Sequence, residues 1–285
     1  MFTARDQATE QRMSAALAVS ATTLGVSTVT DKVAWGWWGR SIGSEVTSRS
    51  GAGWLRVRAV PEGDGHGRLW DGNVTAARLL PAEVRRPVLI TTQDFTADGF
   101  DYRAELYEYL PSRTCAPEQF LREEVTLPDT WWGSLRDSLT ALSAVETDRV
   151  VVSQRYMNGA LPHYLQAPEM PVTPPRWAAS HGDLHWANLT MDGPVILDWE
   201  TWGMAPAGYD AAQLAAFTVF APITQARLRK ELSVFLDTPE GRFAELTVLA
   251  ELLHMATRGD HTDAADAFRE RAAALVRFCE RTDWR

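Results

Sequence analysis

The sequence predicts an α+β chain in two lobes: an antiparallel sheet with a helix over residues 1–110, and a larger, mainly helical lobe over 111–285. Three observations carry that expectation. Before Pro111, short strand-like runs alternate with clusters of Gly, Ser and Ala; after it, apolar residues recur at helical spacing. The chain has 285 residues and is 45% apolar, enough to bury a full core without a metal or disulfide staple.

The elements follow in order. A first helix is predicted over 6–19, with Met13, Ala16 and Leu17 on one side. Strands are predicted over 33–39, 45–49 and 54–60, then a helix over 67–80 stopped by Pro81, then strands over 87–95 and 101–109 joined across 96–99. Beyond Pro111, helices are predicted over 130–145, 150–165, 209–220, 224–236, 242–258 and 262–281. The last has Thr262 as its N-cap and Ala265, Phe268, Ala272, Leu275 and Cys279 on its inner face. Residues 180–202 break this pattern and read as a loop and a tight hairpin, with Asp192-Gly193 turning between 188–190 and 195–197.

Composition narrows the function classes. The net charge is −9, and of 28 cationic side chains only Lys32 and Lys230 are lysine. An acidic chain without a basic block is a poor binder of nucleic acid or anionic membrane. Cys115 and Cys279 lack metal-ligand or disulfide spacing, which points to a reducing compartment. The longest apolar-rich run, 211–221, contains Gln213 and is too short to span a bilayer, so the expected location is cytoplasmic. Charge is uneven: residues 1–110 carry −1 and residues 111–285 carry −8. A solvated helical surface accounts for most of that, and it weakly favours a cationic substrate.

The stretch that carries chemistry is SHGDLHWANLTMDGPVILDWE, Ser180 to Glu200. It brings Asp183, Asn188 and Asp198 around one loop and hairpin, a donor set of two carboxylates and an amide oxygen. Hard oxygens of this kind suit Mg²⁺, which keeps several waters and binds through one or two carboxylates plus substrate phosphates. A carboxylate left over can orient an acceptor hydroxyl and take its proton, which is most of what phosphoryl transfer asks of a protein.

His181-Gly182-Asp183 with Asn188 five residues on, followed by Asp198-Trp199-Glu200 after an apolar strand, resembles the catalytic and metal loops of the aminoglycoside phosphotransferase and choline kinase family. That resemblance implies a protein-kinase-like fold, an ATP- and Mg²⁺-dependent transfer to an alcohol, Asp183 as the base, and Asn188 and Asp198 as metal ligands. His181 is then a scaffold residue holding the loop, and Asp210 a structural acid opening the next helix. His185 faces either acceptor or solvent on this reading. The gap from Asn188 to Asp198 is a few residues shorter than the family pattern, which the Asp-Gly turn absorbs.

The resemblance also makes the first lobe a nucleotide-binding one. Gly36-Trp-Trp-Gly39-Arg-Ser-Ile-Gly43 holds the place of a phosphate-cradling loop, with Ser41 at the phosphates; read alone, such a turn is more often a hairpin. The lysine expected on the third strand is absent. Arg56 or Arg58, two apart and so on one face, takes its place, with a plain surface arginine as the alternative. Asp71 lies in the following helix, but no glutamate does. Glu105 to Pro111 resembles the hinge, where backbone near Glu108 and Leu110 would bind adenine and Tyr107 would border it.

The acceptor is left open between a small molecule, such as a polar metabolite or an antibiotic, and a Ser/Thr side chain of a peptide. A kinase-like binding module without turnover is the rival class. Trp35, Trp37, Trp38, Trp54 and Trp70 read as core, with a protein-docking face on the first lobe as the alternative.

Overall fold

The structure, a computed structural model, describes residues 3–30, 32–49 and 51–282. The chain divides into two compact units, Met1–Arg78 with Arg86–Ser112, and Leu79–Arg85 with Arg113–Arg285.

In the first unit the order is α1 (Gln7–Leu24), β1 (Ser27–Thr28), β2 (Ala34–Trp35), β3 (Ser41–Ser48), β4 (Gly51–Pro61), α2 (Gly72–Leu79), β5 (Leu89–Ala97) and β6 (Phe100–Glu108). The strands form one antiparallel sheet in the order β1-β3-β4-β6-β5, with β2 also paired to β3. Helix α1 runs five residues further than predicted. Asp6 caps its start by accepting from the Thr9 N–H at 2.7 Å, and Gly25, at φ +66°, ends it in the left-handed region.

The sheet has two chemically different faces because side chains alternate along each strand. Ile42, Val46, Leu55, Val57, Tyr102, Ala104 and Leu106 turn one way and pack on Met13, Ala16, Leu17 and Ala21 of α1. The intervening positions carry Arg56, Arg58, Arg103 and Glu105, all drawn into side-chain networks that include residues of or next to α2.

The predicted glycine loop is shorter than expected. Only residues 36–40 are irregular, making a 3₁₀ turn at Trp37–Gly39; Ser41 and Gly43 already belong to β3, opposite Arg58 and Arg56. Gly43 is needed for packing, since a Cβ there would come within 2.7 Å of the Trp54 ring. The tryptophans do not all enter the core either: Trp70 is buried, whereas Trp37 and Trp38 are 49% and 55% exposed.

The second unit contains α3 (Asp129–Ser143), α4 (Gln154–Tyr164), β7 (Trp177–Ser180), β8 (Gly203–Pro206), α5 (Tyr209–Ala216), α6 (Pro222–Glu231), α7 (Ser233–Leu236), α8 (Pro239–Thr257) and α9 (Ala265–Arg281). Helix α8 has apolar residues on all sides and is accordingly buried along most of its length. The helix predicted over 224–236 is broken into α6 and α7. Helix α9 begins at Ala265 after Ala264, so Thr262 lies outside it and does not cap it. No helix among the described residues is long and apolar enough to cross a membrane.

Strands β7 and β8, which sequence periodicity did not reveal, pair antiparallel with Ser180 opposite Gly203. They clamp the two ends of the 181–202 segment together. Inside it, the predicted hairpin is reduced to a single bridge, Leu189 to Ile196, with the Leu197 N–H donating to the Asn188 carbonyl at 2.9 Å. Gly193 makes the turn at φ +120°.

Candidate active site

The chemistry-bearing loop leaves β7 at Ser180 and is held from three sides. Asp210, in the first turn of α5, accepts from the His181 and Gly182 N–H groups at 2.8 and 3.0 Å. Gln213, one turn on, accepts from the Leu184 N–H at 3.0 Å. Trp186 anchors the far side: it is fully buried, stacks on Trp131 at 6.3 Å and donates to Thr218 at 2.9 Å. Gly182 is required twice over. It adopts φ +83°, and a Cβ would meet both methyl groups of Val151 at 2.8 Å.

His181 is completely buried and edge-on to Trp199 at 4.7 Å. Its Nε2 lies 2.9 Å from the Leu197 carbonyl, and its Nδ1 lies 3.3 Å from the Asp183 N–H. Those partners assign one tautomer, donating through Nε2 and accepting through Nδ1. Burial holds its pKa below the usual imidazole value despite nearby Asp210 and Asp183, so the ring is a neutral brace between Asp183 and Leu197.

Asp183 keeps 40% of its side chain open to solvent. Burial of its surroundings would lift the carboxyl, but the rings of His185, His181 and His261 outweigh that and hold it below the usual range, ionised at neutral pH. His185 does not face open solvent. It is buried, with Nε2 at 3.6 Å from Asp183 and 3.2 Å from the Asn188 amide nitrogen.

Asn188 is oriented by its own amide, whose Nδ2 donates to the Asp183 carbonyl at 3.0 Å. Asp198 follows the residue that bonds Asn188 and has φ +59°, a strained value for a non-glycine residue. The loop therefore brings Asp183, Asn188 and Asp198 into one closed segment, as the spacing predicts. Among the described residues no three His, Cys, Asp or Glu side chains make a ready cation cage. An amide oxygen and one carboxylate match a Mg²⁺ ion that draws its other ligands from water and phosphate.

The residues predicted in the first unit fare less evenly. Arg58 is buried, donates to the Leu69 carbonyl at 2.8 Å and lies over the Trp70 ring at 5.1 Å, so its guanidinium is a structural tie. Ser41 is buried within β3, where strand pairing with β4 draws it out of the loop. The Glu108 N–H is taken by the Val88 carbonyl at 3.0 Å, and Leu110 lies just past the end of β6. Tyr107 donates to Glu105 at 2.9 Å, so its hydroxyl is committed inside the sheet.

Arg56 has the carboxylate partner that the helix does not supply. Its Nη1 lies 3.2 Å from Glu105, the residue directly opposite it on β6, and Glu105 has no solvent exposure. Asn73 of α2 donates to the same carboxylate at 2.9 and 3.2 Å. The helix thus contributes an amide to the network and the neighbouring strand contributes the charge. Asp71 pairs with Arg103 instead.

A model of the phosphotransferase enzyme family, APH, matches residues 73–246, from the Asn73 contact through the catalytic loop to α8. The chain belongs to that family. It is a phosphotransferase. Its fold is that of a thermostable mutant of aminoglycoside phosphotransferase APH(4)-Ia, solved as a ternary complex with ADP and hygromycin B: TM-score 0.59, 14% identity, 92% of this chain and 97% of that one. Aminoglycoside phosphotransferase APH(4)-Ia itself gives a TM-score of 0.57 at 15% identity, over 91% of this phosphotransferase and 98% of that chain. No curated protein matches the sequence.

Proposed function

We propose that this phosphotransferase moves the γ-phosphoryl group of ATP to a hydroxyl of a small molecule with the help of Mg²⁺. The observation that supports the reading is the 181–202 loop, in which an ionised, half-open Asp183 has its own N–H bonded to His181 and its carbonyl bonded to Asn188, and which carries Asp198 at its other end. Asp183 accepts the hydrogen bond of the acceptor hydroxyl and aims its oxygen. As the oxygen–phosphorus bond forms and the bond to the leaving diphosphate breaks, the hydroxyl proton passes to a carboxylate oxygen of Asp183 and ADP leaves with the electron pair.

Asn188 and Asp198 hold the metal, which when bound neutralises phosphate charge. Arg56, fixed by Glu105, supplies the phosphate-binding cation of the first unit. A guanidinium suits that double duty, because its planar fork can meet two anions along different edges where an ammonium presents one point charge. Backbone at Leu110 is the remaining candidate contact to adenine.

The test is transfer from labelled ATP by the purified chain with MgCl₂ and a panel of alcohols. Turnover should vanish in Asp183→Asn while ATP binding persists, and both turnover and Mg²⁺ dependence should be lost in Asp198→Ala. Full kcat in Asp183→Asn would overturn the assignment.

A further inference from the structure

Asp198, the carboxylate proposed for the metal, has an exposed side chain and a left-handed backbone at φ +59°. A non-glycine residue keeps such a conformation only where its surroundings impose it. Just before Asp198 the chain is tied to the rest of the loop: the Leu197 N–H donates to the Asn188 carbonyl at 2.9 Å, and His181 Nε2 donates to the Leu197 carbonyl at 2.9 Å. Just after it, the turn through Glu200 and Trp202 is held by a side chain that the proposed chemistry does not use.

That side chain is Arg149. Its Nε donates to the Trp202 carbonyl at 2.8 Å and its Nη2 to the Glu200 carbonyl at 3.0 Å, with the guanidinium over the buried Trp202 ring at 4.8 Å. A planar fork holds two carbonyls at once in a fixed mutual direction, which the compact ammonium of a lysine does not. The backbone that carries the fork is itself fixed to β8. The Met204 N–H donates to the Arg149 carbonyl at 2.7 Å and the Val151 N–H to the Met204 carbonyl at 2.9 Å, a parallel bridge between Val150 and Met204. Gly203 permits this approach, since a Cβ there would come within 2.7 Å of the Arg149 carbonyl carbon.

The same short stretch also meets the other end of the loop. Both methyl groups of Val151 stand 2.8 Å from where a Gly182 Cβ would be, and Thr201, inside the turn that Arg149 holds, donates to the His181 carbonyl at 2.9 Å. Residues 149–151 therefore brace the Asp183 end through Val151 and the Asp198 end through Arg149.

We propose that Arg149 is a positioning residue for the metal: its fork fixes the 199–202 turn, and with it the left-handed backbone from which Asp198 presents its carboxylate. The proposal rests on the reading of Asp198 as a metal ligand. The sign of the effect separates positioning from charge. A cation beside this turn repels a divalent ion, so by electrostatics alone its removal would tighten metal binding. Loss of the fork instead frees the turn and weakens metal binding.

The test is calorimetry of ADP binding to the full chain, without metal and with excess MnCl₂, so that the tightening brought by Mn²⁺ reports on its ligands. In Arg149→Lys and Arg149→Met alike, about tenfold or more of that tightening should be lost while metal-free ADP affinity is unchanged. Methylguanidinium added to Arg149→Ala should restore part of it. Unchanged or stronger Mn²⁺ coupling in Arg149→Met, or wild-type coupling in Arg149→Lys, would overturn the proposal; so would an equal fall in metal-free ADP affinity, which marks a general loss of structure. One measurement needs no variant to fold: in the wild type the Arg149 Nε–H, bonded to Trp202, should exchange slowly with solvent by NMR, and rapid exchange would equally overturn the proposal. Absence of any Mn²⁺ effect on ADP binding in the wild type would instead count against Asn188 and Asp198 as metal ligands.

Discussion

Glu105→Gln should cost the first unit about 2–4 kcal/mol. The wild-type carboxylate is fully buried and receives three donors, Arg56 at 3.2 Å, Asn73 at 2.9 Å and Tyr107 at 2.9 Å. Glutamine is nearly isosteric but presents one acceptor oxygen and a donor NH₂, so at least one buried donor loses its partner, about 1–3 kcal/mol. It also removes the carboxylate charge that faces Arg56 at 3.2 Å. Breaking a fully buried ion pair from one side costs about 3–5 kcal/mol; Arg56 retains 17% side-chain exposure, so solvent recovers part of that figure. Urea dependence of hydrogen exchange at the β4 and β6 amides measures the loss in this unit. The companion variant is Arg56→Met with Glu105→Gln, which removes both charges while keeping an amide oxygen for Asn73 or Tyr107, and should cost less than the sum of the two single changes by at least about 1 kcal/mol. A Glu105→Gln protein within about 0.5 kcal/mol of wild type, or a double variant costing the full sum of its single changes, would refute the claim that this pair acts as a unit.

Three further outcomes are expected. Gly182→Ala should lose most of its transfer rate and about 1–3 kcal/mol of stability, read by kinetics and thermal unfolding, because the new methyl must displace Val151 at a φ of +83°. Burial pushes the Glu251 carboxyl up to about 7 from 4.5, against the hydrogen bond from Tyr209 that lowers it. An acid whose pKa rises on folding favours the folded state at low pH, so wild type should lose stability relative to Glu251→Gln as pH climbs from about 4.5 through 7, measured as Tm at successive pH values. Trp186→Phe should destabilise the second unit by about 2–3 kcal/mol and raise the acceptor KM, since it leaves a void beside Trp131 and removes the bond to Thr218.

The geometry of the 181–202 loop was legible because it is local. Asp183, Asn188 and Asp198 are set by spacing in a single stretch of chain, and the turn at Gly193 is written in two residues. Helix α1 was legible for the same reason, through Met13, Ala16 and Leu17. What escaped was non-local. Strand β7 is only Trp-Ala-Ala-Ser, its partner β8 lies more than twenty residues on, and no turn joins them directly, so neither carries a periodic signal. The partner of Arg56 escaped because kinase-like spacing directs attention to the helix, whereas the carboxylate arrives through the register of β4 with β6. Trp37 and Trp38 show the limit of composition: large apolar rings in a short turn have no core within reach, and stay at the surface with Arg40 and Arg5 over them.

The β7–β8 clamp separates the tasks of holding and of reaching. Because the two ends of the 181–202 segment are tied to each other, the position of Asp183 does not depend on how far the chain travels before it returns at Asp198. The tip around Asp192 and Gly193 is held at its base by the Leu189–Ile196 and Thr114–Thr190 bridges and by the Met191 N–H donating to the Arg113 carbonyl at 2.9 Å, and lengthening a loop beyond such anchors costs only about 0.6 kcal/mol per doubling. Extra residues spliced between Asp192 and Gly193, a short epitope for example, should leave Asp183 in register as long as the anchors at Thr190 and Met191 are kept.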